Sequence, residues 1–468
     1  MFKNKFFVIL AAAAMVVGTG CKKELDLTPT DTINPEKALQ NLADVRLSMN
    51  SAYARYGRIN TMYVSALLSD ELKFGPDNGG AGQFDFRYQY GQDETSGGNV
   101  TSAWGNLYSM IDLVNRLLAV VDNLPGAESD RAMLKAEMLS LRAIGYFELL
   151  NWYSKTYDPA DPLGVPVVTE SCLSCKPGRN TVAEVAARID GDIAEAKGLF
   201  PDVTAATFND LRLNKLSLAA FESRVAIYKR EWQRAVDAAT VVINSNIEPL
   251  VSRADFPGIW TDANTGETLF RLRYETATTV GAIWTGTSNA VAFSPSDKLL
   301  ATYTAADVRR DTYIATGPTG GIGTGKRYVN KFFTSSRGGR VVDLKAIRTA
   351  EVYLNRAEAY AELNNLTSGA ADLNRIRGQR ITGYVDASYG SQATLISDIL
   401  LERYKELAFE GFRFFDLKRR NLPVQRNASD VDSPNWQTLP AGSFRFTLPI
   451  PQYEFQANPA FVQNAGYQ

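Results

Sequence analysis

From residue 34 to about residue 246, apolar side chains return every three or four positions, the spacing of one buried helix face. The first predicted helix covers residues 35–56, with Asn34 as N-cap and Pro35 at the first helical position, and turns Leu39, Leu42, Val45, Met49, Ala52 and Tyr53 inward. The same rhythm predicts helices over residues 102–121 (Leu107, Met110, Ile111, Val114, Leu117) and 129–153 (Leu134, Met138, Leu141, Tyr146, Leu149). A helix over 181–200 opens with Thr181 and Glu184 in capping-box spacing. Two later stretches are predicted helical hairpins: 216–229 with 232–244, and 346–363 with 368–377. Both place alanines (Ala219, Ala220, Ala235, Ala239; Ala357, Ala361, Ala370, Ala371) where paired helices approach closest, with aromatics beside them. That is what a tetratricopeptide-type repeat of about 34 residues requires.

Between residues 247 and 342 the helical rhythm lapses, and Gly, Thr, Pro and aromatics dominate. Only Leu269 to Tyr274 alternates like a short strand. So long a stretch inside a compact chain is expected to be a folded, functional loop region. Helix returns over 395–410, and the end from Phe444 is expected to be extended, Pro449 and Pro451 blocking helix. The expected class is mostly α, helical hairpins of tetratricopeptide-repeat type with a long loop-rich region carrying short strands.

Composition narrows the function. The 468 residues carry 50 Lys and Arg against 51 Asp and Glu, a formal charge of −1, which leaves no electrostatic footprint for nucleic acid. There is no histidine, which excludes Ser-His-Asp and Cys-His catalysis and His-ligated zinc. Residues 1–20 read as an export signal: Lys3 and Lys5, then the apolar run 6–17, too short to span a bilayer. The run ends in Val17-Gly18-Thr19-Gly20-Cys21, similar to a bacterial lipobox, so Cys21 is the expected lipidated first residue and 21–33 a polar tether. Cys172 and Cys175, as Cys-x-x-Cys, are open to a redox motif, half a zinc site or a local disulfide. The absence of further Cys or His ligands, the Pro177-Gly178 that follows and an exported chain favour the disulfide.

The C-terminal third carries recognisable text. Residues 347–360 (Ile-Arg-Thr-Ala-Glu-Val-Tyr-Leu-Asn-Arg-Ala-Glu-Ala-Tyr), 373–378 and 399–419 (including Glu-Leu-Ala-Phe-Glu-Gly-Phe-Arg-Phe-Phe-Asp-Leu-Lys-Arg) resemble the SusD/RagB family. So do Leu448-Pro-Ile-Pro-Gln452 near the end and Leu68 to Glu71, Trp104 to Leu118, Arg142 to Tyr153 and Gly164 to Pro166 upstream. The resemblance runs through the mature chain in order. It implies a SusD-like fold in two regions, 34–246 and 247–468 (loop-rich 247–342, helical 343–420), packed as one compact unit. It further implies a surface lipoprotein of the outer membrane, not an enzyme. Such a protein captures an oligosaccharide, or in the RagB-type branch a peptide, and acts as lid for a SusC-like TonB-dependent transporter. A helical-repeat scaffold that binds only protein is the alternative from the repeats alone. No cofactor or metal is called for.

Sugar capture needs aromatic faces and fixed hydrogen-bonding groups. Trp104, Trp152 and Trp232 lie on helical patterns and are expected in the core; Trp260 is expected to anchor the start of the loop region, and Trp436 lies in a polar loop. Trp284, among Gly and Thr without periodicity, is the first candidate for a ligand platform. Family position adds Asp77, Asn78, Arg87, Tyr88, Tyr90 and Phe293, although Phe84, Phe86, Tyr88 and Tyr90 alternate as one strand face would. Glu402, Glu406 and Glu410, four apart on one helix face among Arg and Lys, are read as a buried ion-pair network rather than an acid/base pair. Gly320 to Lys326 has the Gly-x4-Gly-Lys of a phosphate loop, but Arg327 replaces its Ser or Thr and no helix follows, so it is read as a turn.

Overall fold

The computed structural model describes residues 39–467, apart from Leu173 and residues 277–279, 286–289 and 318–323. Asn34, Pro35, the export signal and Cys21 therefore lie outside the described residues. The first described helix, α1 (Leu42–Arg55), starts at Asn41, whose Oδ1 accepts from the backbone N–H of Ala43 and Asp44. It is followed by α2 (Arg58–Leu68), α3 (Glu94–Val121), α4 (Glu128–Tyr153), α5 (Val182–Leu199), α6 (Lys215–Lys229) and α7 (Trp232–Ser245). After the loop region come α8 (Thr349–Glu362), α9 (Leu366–Arg380), α10 (Gln392–Glu406) and α11 (Arg413–Arg419).

Helices α3 and α4, α4 and α5, α6 and α7, and α8 and α9 pack as neighbours. The two repeat-like hairpins join through α7 against α8, and α10 closes the second of them. Ala219, Ala220, Ala226, Ala235 and Ala239 are buried where α6 meets α7, as the alanine pattern predicted. Between α8 and α9 the approach is close at Gly369. A Cβ on Gly369 would lie 3.0 Å from the Ala357 carbonyl oxygen and 3.1 Å from Leu395.

Helix α2 was not legible in the sequence. Arg58, Thr61, Met62 and Val64 to Leu68 are all buried, so it is enclosed nearly all round and shows no amphipathic stripe. The helix expected from 346 begins at Thr349, because Leu344–Arg348 is a strand paired antiparallel with Thr268–Leu272. The helix expected to reach 410 stops at Glu406 because the chain reverses there. Phe409 and Gly411 have positive φ (65° and 86°), and a Cβ on Gly411 would sit 3.1 Å from the Met62 backbone.

Candidate functional site

The face built by the loop-rich region starts from one strand pair. Leu72–Phe74 runs antiparallel to Phe293–Pro295, with Phe74 opposite Phe293, and this pins the turn after Phe74 against the later loops. Gly75 is required there, since a Cβ would meet the Val291 carbonyl oxygen at 2.1 Å. Asp77 accepts from the Val291 N–H (2.9 Å) and from Lys326 Nζ (2.6 Å). Those two donors hold its carboxyl below the usual range. Asn78 Nδ2 donates to the carbonyls of Ala81 and Ala292, both at 3.0 Å, and its Oδ1 accepts from the Gly80 N–H.

The other side of the face is tied down by Arg426. Its buried guanidinium donates to the carbonyls of Leu67, Ser69, Phe86 and Trp436 and lies 3.8 Å from the Phe86 ring centre. Thus residues 432–437 are drawn beside Gln83–Phe86. Arg87 lies over Phe74 (5.7 Å) and pairs with Asp432. The ring left most open on this face is Phe84, 37% exposed; Tyr63 and Trp436 are partly exposed.

The structure brings Asp77, Asn78, Arg87, Trp284 and Phe293 to this one region, but it corrects the roles expected of the rings. Trp284 has no exposed surface: it packs between Tyr63 (6.1 Å) and Phe409 (6.0 Å) as part of the core. A ring without an open face cannot stack on a sugar. Phe293 is likewise buried, edge-on to Tyr63. Tyr88 is buried under Arg426 and donates to the Leu68 carbonyl (3.1 Å). Tyr90 leaves the region, stacked on Tyr467 with its hydroxyl on the Arg445 carbonyl. The strand reading of Phe84 to Tyr90 also fails. Gln83–Phe86 is one helical turn and Tyr88 has φ 56°, so Phe86, Tyr88 and Tyr90 all turn inward while Phe84 points out.

Sequence reasoning missed Tyr63, Lys326 and Asp432. The Arg87–Asp432 pair spans 345 residues, a separation for which no local pattern exists. Residues 320–323 of the phosphate-loop-like motif lie outside the described residues; Lys326 turns to Asp77. Trp104, Trp152 and Trp260 are buried and Trp232 partly so. Cys172 and Cys175 are joined as a local disulfide with Cα atoms 5.5 Å apart.

The three glutamates form the buried network read from their spacing. Glu406 accepts from Arg309, Arg348 and Arg380; Glu410 pairs with Arg348 and Lys331; Glu402 pairs with Arg309 and Arg377. The surrounding guanidiniums hold the Glu406 carboxyl far below its usual range, against the opposing effect of burial. Burial pushes Lys331 down to about 8 while it sits 3.8 Å from the Tyr313 ring centre and 4.2 Å from that of Trp260. Each carboxylate is saturated by fixed cations and enclosed, so none is free to exchange a proton with a substrate.

The fold thus sets helical hairpins beneath a face built from loops. A family model described as "SusD family" matches residues 271–467, and one described as "Starch-binding associating with outer membrane" matches residues 25–227. A "SusD-like protein P2" from Formosa agariphila is 25% identical over 532 aligned positions, spanning 100% of this chain and 99% of that one. A SusD superfamily protein from Bacteroides thetaiotaomicron superposes with a TM-score of 0.78 at 25% identity, covering 91% of this chain and 99% of the other. A SusD-like carbohydrate binding protein from Bacteroides vulgatus shares the fold (TM-score 0.77, 21% identity, 90% and 97% covered). The chain belongs to the SusD/RagB family.

Proposed function

We propose that the protein is a cell-surface lipoprotein of the outer membrane that captures oligosaccharides and delivers them to a SusC-like TonB-dependent transporter, for which it is the lid. The observation that carries this reading is the match of residues 25–227 to a family described as starch-binding and associating with the outer membrane. The lipobox-like residues before Cys21 support lipid anchoring. No helix of the described residues is long and apolar enough to cross a membrane. Saturation of the buried glutamates by arginines supports a binding role over hydrolysis.

In this reading the glycan rests on the exposed edge of the loop-built face. Phe84 and Trp436 offer rings, and Asn78, Arg87 and Asp432 offer polar groups, while buried Trp284 and Phe293 hold the platform from beneath. Calorimetry with a panel of oligosaccharides and peptides tests it. A glycan hit that weakens at least tenfold in Phe84→Ala or Trp436→Ala supports the assignment. Trp284→Ala is expected to act otherwise, lowering stability by about 3–5 kcal/mol through the cavity it leaves. Peptide binding alone would move the protein to the RagB-type branch. Absence of any ligand, with no barrel recovered from the native membrane, would overturn the proposal.

A further inference from the structure

A cleft of about 650 Å³, which shares no lining residue with the loop-built face, lies between the segment after α4, the end of α6, α11 and residues 442–447. Its size falls within the range of small-ligand sites. The cleft mixes ring surface with polar groups. Tyr157, Tyr228 and Phe415 line it, and Phe444 stands at its edge, 42% exposed although apolar.

Charge is what sets the cleft apart. Lys418 lines it and donates to the carbonyls of Asn151 and Ser154, both at 2.6 Å. An ammonium has three N–H donors, so one remains. Among the described residues no carboxylate lies within ion-pair distance of Lys418. Enclosure pushes its pKa down to about 7, with Asp161 the one countering charge. The other charged groups that face the cleft are accounted for. Arg419 is held by Glu358 and Asp416, and Lys229 by Asp190 and Glu231. Asp158 and Asp161 accept from the N–H groups of Ala160 and Leu163 within their own loop. Lys155 and Arg230 are exposed and carry no ion pair. Most enclosed cations elsewhere pair with carboxylates; Arg426, which spends its donors on four carbonyls, is an exception, whereas Lys418 keeps a donor to spare and, with Lys155 and Arg230, has no ion-paired carboxylate among the described residues.

We infer that the cleft is a second ligand site that takes the carboxylate of an acidic sugar: the carboxylate accepts from Lys418 Nζ, the ring lies against Phe444, and Lys155 and Arg230 attract it at the mouth. The inference rests on the carbohydrate reading only for the choice of a sugar as carrier. Its variants lie apart from Phe84 and Trp436, so the two proposals fail separately. Titration calorimetry of the intact protein at pH 6, where Lys418 is protonated, tests it with glucuronate, glucose and acetyl-dialanine. Glucuronate should bind saturably and at least tenfold more tightly than glucose or the peptide. Lys418→Met should weaken it at least tenfold. Because Lys418 also ties two carbonyls, Lys155→Glu, an exposed change, serves as the second variant and should weaken it at least threefold with the thermal transition unchanged. The inference is overturned if glucuronate fails to bind, if glucose or the peptide binds as well, or if Lys155→Glu binds glucuronate undiminished.

Discussion

At the scale of single residues, the carboxylates divide by what surrounds them. Glu406 is encircled by Arg309, Arg348 and Arg380, so removing its charge strands buried guanidiniums. Glu406→Gln is expected to lower the unfolding free energy by about 3–5 kcal/mol, read by urea denaturation, with glycan affinity unaltered. Glu71 is the opposite case. It is buried beside Asp70, and burial pushes its pKa up to about 8 from 4.5, although its Oε1 accepts from the Phe409 N–H (2.8 Å). A raised carboxyl contributes stability that is complete below about pH 4.5 and is lost as the pH rises through about 8. Glu71→Gln keeps an oxygen for the Phe409 N–H and removes the titration. The stability of the natural protein relative to this variant should therefore fall between pH 5 and 9, measured as the difference of two denaturation series. Asp70 has the reverse sign. Its pKa, lowered to about 2 by Arg413 and Lys298 against the pull of burial, contributes stability above about pH 4 that disappears as the pH falls toward 2.

At the scale of elements, local signals served best where one residue satisfies a neighbour. Thr181 and Glu184 form the predicted capping box. Thr181 Oγ1 accepts from the Glu184 N–H (3.2 Å), and Glu184 Oε2 accepts from the Thr181 N–H (2.8 Å). Thr181→Ala should cost about 1 kcal/mol in thermal or chemical unfolding without changing ligand affinity. The repeat-like hairpins were legible because alanines at a fixed helical spacing have few uses other than close helix packing. Legibility failed where a partner far along the chain set the conformation. Residues 346–348 were expected to open a helix, yet they belong to the strand Leu344–Arg348, which pairs with Thr268–Leu272 and points Arg348 at Glu267, Glu406 and Glu410. Phe84 to Tyr90 alternates like a strand, but strand pairing in this region goes to Leu72–Phe74 and Phe293–Pro295, which leaves the segment to coil around Arg426.

For the whole molecule, the helical class, the repeat hairpins, the capped helix start and the buried glutamate network followed from the sequence. The helix faces, the cap and the placing of Glu402, Glu406 and Glu410 on one face depend on residues within about two helical turns of one another, where spacing fixes which side chains share a face; the cations that complete the network, Arg309, Lys331, Arg348, Arg377 and Arg380, come from 25 to 97 residues away. The family text belongs to the same group, because it lies in the segments that build this frame. The identity of the exposed rings on the loop-built face was decided only by the fold. Trp284 and Phe84 look alike as aromatics among polar and small residues, but one is sealed between Tyr63 and Phe409 and the other is left in solvent. The same holds for the unmatched cations of the second cleft. Lys418 sits in a run of basic residues whose neighbours Arg419 and Arg420 both find carboxylates on α8, and only the packing of α11 leaves Lys418 facing backbone carbonyls and open space. Exposure and charge matching depend on what the rest of the chain places within a few ångströms, and for these residues that surrounding chain is drawn from hundreds of positions away.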